Sequence, residues 1–137
     1  MAYALDSSIV IDLVNGEAAV IDMLESAIKN GFQISIPLVA HYEVVRGFCH
    51  TKSTRRETAY GKLCMYCPVG KLTTSTWDNA AFIWAKLRKA GHTIGDADIL
   101  IAAYCIENRY TLVTHNTKHF KHIKGLYLVD WAKKLKE

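Results

Sequence analysis

Apolar and polar positions along this chain fall into alternating helical and extended patterns. Ala2 to Leu5 is a short apolar stretch that ends at Asp6, with Ser7 or Ser8 placed to cap a helix running to Asn15-Gly16. From about Glu17 to Asn30, Val20, Ile21, Leu24 and Ile28 recur at helical spacing, and Gly31 supplies the stop. Phe32 to Ile36 alternates and predicts a strand closed by Pro37, followed by a helix from about Val39 to Phe48. The Thr51–Thr58 stretch is polar and basic, a further helix runs on to Cys64, and Val69 to Leu72 reads as a short strand. Thr76 to Ala90 carries Ala80, Ile83, Trp84 and Leu87 along one side and ends at Gly91. Asp96-Ala97-Asp98 opens an apolar helix, Ile99 to Glu107. Thr111 to Thr114 is a strand with Asn116 close behind, Leu126 to Val129 is a last strand, and Trp131 begins a short basic tail helix.

Strands that alternate with helices predict an α/β fold in three layers, a mainly parallel sheet with helices on both faces. No linker-like stretch divides residues 1–137, so one domain is expected. The longest uninterrupted apolar run, Ile99 to Ile106, is far short of the ~20 residues a membrane-spanning helix needs. No basic n-region precedes Asp6, so neither a signal peptide nor a membrane association is expected, and a cytoplasmic location is.

Charge changes the picture more than composition does. The net charge of +4 is unevenly spread: residues 1–45 carry a net −5 and residues 46–95 a net +7. Opposite blocks in one domain point to an acidic, cation-holding region beside a surface that attracts polyanions, although charged faces can also serve solubility alone. The four cysteines are spaced against zinc: Cys64 and Cys67 form one close pair, and Cys49 and Cys105 do not form a second, so the pair reads as small apolar side chains at a helix end. His115, His119 and His122 lie in a Lys-rich loop that reads as solvated.

The candidate chemistry follows from where the acids fall. In parallel sheets, functional groups collect beyond the carboxyl ends of the strands. Asp6 follows the first strand and Asn116 the Thr111–Thr114 strand, Asp96 and Asp98 open a helix, and Glu43 lies in the helix after Pro37. Carboxylates gathered in one cleft repel one another unless a cation neutralises them, and oxygen-only donors suit Mg²⁺ or Mn²⁺. Such an ion lowers the pKa of water and offsets the charge that develops on a phosphodiester. Each residue also has a simpler reading: Asp6 and Asp96 as helix caps, Glu43 as a partner of Arg46 one turn on, and Asn116 as a turn former.

The same residues resemble a known family. Ala4-Leu5-Asp6-Ser7-Ser8 resembles the opening of PIN domains, and His41-Tyr42-Glu43-Val44-Val45-Arg46-Gly47 their second segment. Gly95-Asp96-Ala97-Asp98-Ile99-Leu100-Ile101-Ala102-Ala103 is similar to the VapC toxin branch, as are Leu112 through Phe120 and the ending Gly125-Leu126 to Asp130-Trp131. The resemblance implies a Mg²⁺- or Mn²⁺-dependent endoribonuclease in which Asp6, Glu43 and Asp98 form the principal acidic site. Asp96 would be an auxiliary carboxylate or a cap. Asn116 stands where many relatives have a fourth Asp, and Ser7 and Thr114 would orient carboxylates or water. The likeness also implies a structured RNA substrate such as transfer or ribosomal RNA, a VapB-like antitoxin seated in a groove of the early helices, and a homodimer. Arg46, Lys52, Arg55 and Arg56 are the candidate phosphate contacts.

Two readings from other classes stay open. A module that binds RNA or protein without cutting would separate from a nuclease in an RNA-cleavage assay with Mn²⁺. Phosphoryl transfer on small molecules by a nucleophilic Asp is disfavoured, because Ser8 stands where many such enzymes place a second Asp.

Overall fold

The computed structural model describes residues 2–132. The chain runs β1 (Ala2–Leu5), α1 (Ser7–Val14), α2 (Ala18–Lys29), β2 (Gln33–Pro37), α3 (Leu38–Thr51), α4 (Thr54–Tyr66), β3 (Val69–Gly70), α5 (Thr74–Lys89), α6 (Asp96–Asn108), β4 (Thr111–Val113), α7 (Thr117–Phe120) and β5 (Leu128–Val129). The strands form one sheet in the order β3-β2-β1-β4-β5, and every pairing is parallel. The expected α/β class is observed, because parallel neighbours can be joined only through crossovers and helices supply them here.

The strand order decides where the helices go. The steps β1 to β2 and β2 to β3 move toward one edge, and β3 to β4 returns across the sheet. With right-handed crossovers, that reversal places α5 and α6 on the face opposite α1 and α2. On one side α1 packs against α2, α3 and α4, while α5 lies along α6. Leu5, Ile36, Leu112 and Val113 from the strands meet Ile9, Val10, Val20, Val44 and Ile101 from the helices in one buried core. Ile99 through Cys105 of α6 are all buried, which explains why that segment reads as uniformly apolar with no polar face. At its far end, Glu107 accepts hydrogen bonds from the Thr76 and Ser75 hydroxyls and the Asn79 amide, tying α6 to the first turns of α5.

Most boundaries fall within three residues of expectation, and the differences have local causes. Asp6 itself caps α1, as its simpler reading had it, with Oδ1 accepting the Ser7 N–H at 2.8 Å, so neither Ser7 nor Ser8 is the cap. The basic stretch after Thr51 already belongs largely to α4: Ser53 caps that helix by accepting the Arg56 N–H, and Arg55 and Arg56 sit in its first turn. The cap of α6 is Gly95, and Asp96 is the helix's first residue, so the capping role expected of Asp96 is overturned. The short helix α7 had no periodic signature. Trp131 and Ala132 are helical, and the rest of the expected tail helix lies outside the described residues.

One close approach yields a stability prediction. A Cβ added at Gly70 would stand 1.8 Å from the Tyr104 hydroxyl oxygen and 2.7 Å from Ser35 Oγ. Those two hydroxyls are themselves hydrogen-bonded at 2.8 Å in the interior. Gly70→Ala is therefore expected to cost about 1–3 kcal/mol through overpacking, read as a lower thermal midpoint. Tyr104→Phe in the same chain should relieve part of the loss; no relief would place the clash elsewhere.

Candidate active site

Strand β1 continues to β2 on one side of the sheet, and its other neighbour β4 continues to β5, away from it. Chain directions thus diverge between β1 and β4, and at such a switch point a crevice opens beyond the carboxyl ends of the strands. Asp6 follows β1 at this place, and Thr114 follows β4. The Asp6 N–H donates to the Val113 carbonyl at 3.0 Å, and the Thr114 hydroxyl donates to Asp6 Oδ2 at 2.7 Å. Both residues are buried, and both Asp6 oxygens are held by donors. Burial pushes the Asp6 carboxyl above its ordinary value; the Thr114 and Ser7 donors oppose this, the charge of Asp98 adds to it and that of His115 opposes it.

Glu43 projects from α3, one and a half turns past Pro37. Its carboxyl is also raised, first by burial and further by the charges of Asp6 and Asp98, while Ser7 and Arg46 pull it down. Among the described residues Oε1 is buried with no hydrogen-bond partner, and Oε2 lies 3.9 Å from the Arg46 guanidinium. A buried carboxylate oxygen without a donor is costly to leave so. Asp98, in the first turn of α6, is held through Oδ2 by His119 Nε2 at 2.8 Å. The three acids from β1, α3 and α6 thus act on one another electrostatically, which the sequence could only suggest.

Asp96 is exposed, and among the described residues its side chain makes no hydrogen bond or ion pair. Asn116 is exposed as well, at the start of α7, with its N–H donating to Thr114 Oγ1 at 3.1 Å and its side chain capping nothing. Thr114 holds Asp6 through its hydroxyl, and Ser7 does so through its N–H while its hydroxyl favours the charged form of Glu43. Arg46 is exposed and lies over the Tyr42 ring at 5.2 Å, and Lys52, in left-handed conformation at the α3 end, leads into Arg55 and Arg56. The positive block therefore begins one helical turn from Glu43.

His115 and His119, in the loop read as solvated, both take carboxylate partners, although His119 stays exposed. His115 bridges Asp12 of α1 and Asp130 beyond β5, with Nε2 on Asp12 Oδ2 and Nδ1 3.1 Å from Asp130 Oδ1. Burial disfavours its charge, but the two carboxylates outweigh that and raise its pKa. His119 is the partner of Asp98. Nothing in spacing could reveal these pairs, since their members lie 103, 15 and 21 positions apart. Of the two cysteines read as apolar side chains at a helix end, Cys64 is half-buried within α4 and Cys67 is buried at its end.

Among the described residues, no three Asp, Glu, His or Cys side chains already stand together as a metal-holding group. The donors nonetheless fit a hard divalent cation: all are oxygens, Glu43 Oε1 lacks any partner, and two of the three carboxyls are raised by burial and mutual repulsion, which a cation would relieve.

The sequence pattern of the PIN domain family matches residues 3–126. A curated relative, ribonuclease VapC2 of Rickettsia felis, is 32% identical over 139 residues, covering 97% of this chain and 100% of the relative. The chain belongs to the PIN-domain family, in its VapC branch. Ribonuclease VapC1 of Haemophilus influenzae is 24% identical over 140 residues. Among solved structures, VapBC2 of Rickettsia felis bound to a promoter DNA fragment superposes on this PIN domain with a TM-score of 0.83 at 28% identity, covering 96% of this chain and 99% of that one. VapBC-1 of nontypeable Haemophilus influenzae gives 0.80 at 25% identity, covering 96% and 98%. No described helix of this PIN domain is long and apolar enough to cross a membrane.

Proposed function

We propose that this VapC-branch PIN domain is a toxin endoribonuclease dependent on Mg²⁺ or Mn²⁺. The observation that carries the reading is Asp6, desolvated at the switch point and raised further by the charge of Asp98, while the charges of both raise Glu43. Asp6, Glu43 and Asp98 would hold the cation, with Asp96 and Asn116 at the rim. When bound, such an ion lowers the pKa of water and offsets charge on the phosphodiester. The chain's own part is positioning. Ser7 N–H and the Thr114 hydroxyl fix the plane of the Asp6 carboxylate, Glu43 offers an unengaged oxygen, and His119 orients Asp98 by occupying one of its two oxygens. Arg46, Lys52, Arg55 and Arg56 draw in the RNA through its phosphates, so cleavage should weaken steeply with salt.

Relatives named as ribonucleases, and neighbours solved as VapBC complexes, support a nuclease with a VapB-like antitoxin partner. Structured RNA such as transfer or ribosomal RNA is the proposed substrate, the groove of α1 and α2 the antitoxin seat, and the cytoplasm the location. Residues 1–137 act as one domain, and a homodimer is supported by Trp77 and Trp84, exposed two turns apart on α5. The reading is tested by incubating purified protein with total RNA and Mn²⁺, with chelator as control. RNA bound but left uncut would return the non-cutting module.

The role of His119 can be read without cleavage. His119→Ala should weaken Mn²⁺ binding about 10- to 100-fold, measured by the free Mn²⁺ resonance in electron paramagnetic spectra. His119→Gln, which keeps a donor near the same place, should recover part of it. Equal affinity in all three proteins would remove His119 from the site.

A further inference from the structure

A cleft of about 650 Å³ lies on the far face of the molecule, between α5, α6 and the turn after α7. Its floor is aliphatic, from Ile83, Leu87, Ala103, Ile106 and Ile123, with the Phe82 ring at the edge and 63% exposed. Its rim carries Lys86, Lys89 and Lys124, and the stacked rings of His92 and His122 stand 3.6 Å apart at one end. Among the described residues, no acidic side chain lines it. Glu107, next to Ile106, already has its oxygens engaged by donors from α5. The floor extends along α5 from Asn79 to Ala90, about 16 Å at the helical rise, or three turns of a helix laid beside it.

An apolar trough of that length under a cationic rim selects an occupant by chemistry. Apolar side chains at i, i+3, i+4 and i+7 fill such a floor, and carboxylates flanking that stripe meet the lysines. Nucleic acid suits the charge but not the floor, since unpaired bases are held by stacking on aromatic faces and here the floor is branched aliphatic. We propose that this cleft is a docking site for an acidic amphipathic peptide segment of a partner protein. It is distinct from the antitoxin groove expected on the early helices, and it does not depend on the nuclease reading.

The test uses full-length protein and a fluorescein-labelled peptide of about 15 residues, about four helical turns, with leucines at helical spacing and glutamates elsewhere, followed by anisotropy. Binding should weaken at least about tenfold in Lys86→Glu/Lys89→Glu and separately in Phe82→Glu, all three being exposed positions whose substitution leaves the core alone. The same peptide with lysine in place of glutamate should not bind. Circular dichroism and an unchanged thermal midpoint confirm that both variants are folded. No binding up to about millimolar, equal binding of the lysine peptide, or binding unchanged in both variants overturns the proposal. A single-stranded RNA that displaces the peptide and loses its own affinity in both variants would overturn it in favour of nucleic acid.

Discussion

Asp6→Asn is expected to lower RNA cleavage by roughly 10²–10³-fold or more while leaving the metal-free protein at neutral pH at least as stable as the parent. The two halves of this result have one cause. The Asp6 carboxyl is buried at the switch point, and its pKa is raised above 3.8, so the folded state holds this proton more tightly than the unfolded chain does. Stability then falls as pH climbs from the unfolded value through the folded one, and the loss persists above it. Glu43, raised above 4.5 by burial and by Asp6 and Asp98, adds a second contribution of the same sign. In chelator, the thermal midpoint of the parent should therefore decline as pH rises through that window, and Asp6→Asn should decline less. Mn²⁺ should reverse the order. At a hundredfold excess over its dissociation constant it stabilises the parent by about 2.7 kcal/mol, and the variant far less. Asp98→Asn should lose cleavage as well. Full activity in either variant, with a normal fold, refutes the assignment, as would an Asp6→Asn protein that is grossly unstable, since that would make Asp6 a structural cap alone.

Trp131→Ala is expected to destabilise the protein by about 3–5 kcal/mol, the usual cost of emptying a large aromatic site. Trp131 is 1% exposed and meets Tyr3 of β1 edge-on, with ring centroids 5.6 Å apart. It directly follows Asp130, whose carboxylate takes both His115 and the Ala132 N–H. Its loss should loosen the segment that positions His115, Thr114 and Asn116 as well as the core. Denaturant midpoints give the stability change. Asp130→Asn provides the comparison, because it weakens the contact to His115 while keeping the indole in place. A cost below about 1 kcal/mol for Trp131→Ala would mean that the ring packs less tightly than its burial implies.

The three carboxylates show which kind of information each level holds. Asp6 was legible because a short apolar stretch ending in an acid marks the carboxyl end of a first strand. Glu43 and Asp98 stood out through the motifs around them, and the uniformly apolar Ile99–Ile106 segment announced a helix buried on all sides. Alternation and helical spacing are local properties, so the α/β class and the parallel sheet could be read from them. The errors were also local in origin. Gly95 outcompeted Asp96 as the cap of α6, and Asp6 outcompeted Ser7 and Ser8 at α1, because a cap is set by backbone conformation as much as by residue type.

Residue spacing could not supply the partners made across the fold, even where the family likeness gave Thr114 a carboxylate or water to orient. The strand order β3-β2-β1-β4-β5 set Thr114 against Asp6, 108 positions away, and so held a buried carboxylate that would otherwise lack a second donor. It put His119 on Asp98 and closed Asp12, His115 and Asp130 into one contact, although the histidine-rich loop reads as solvent-facing. It also laid α5 along α6 to open the basic cleft. Spacing along a chain specifies which face a side chain takes within its own helix or strand. Hydrogen bonds and burial depend on what the neighbouring element presents, and only the packing of those elements decides that.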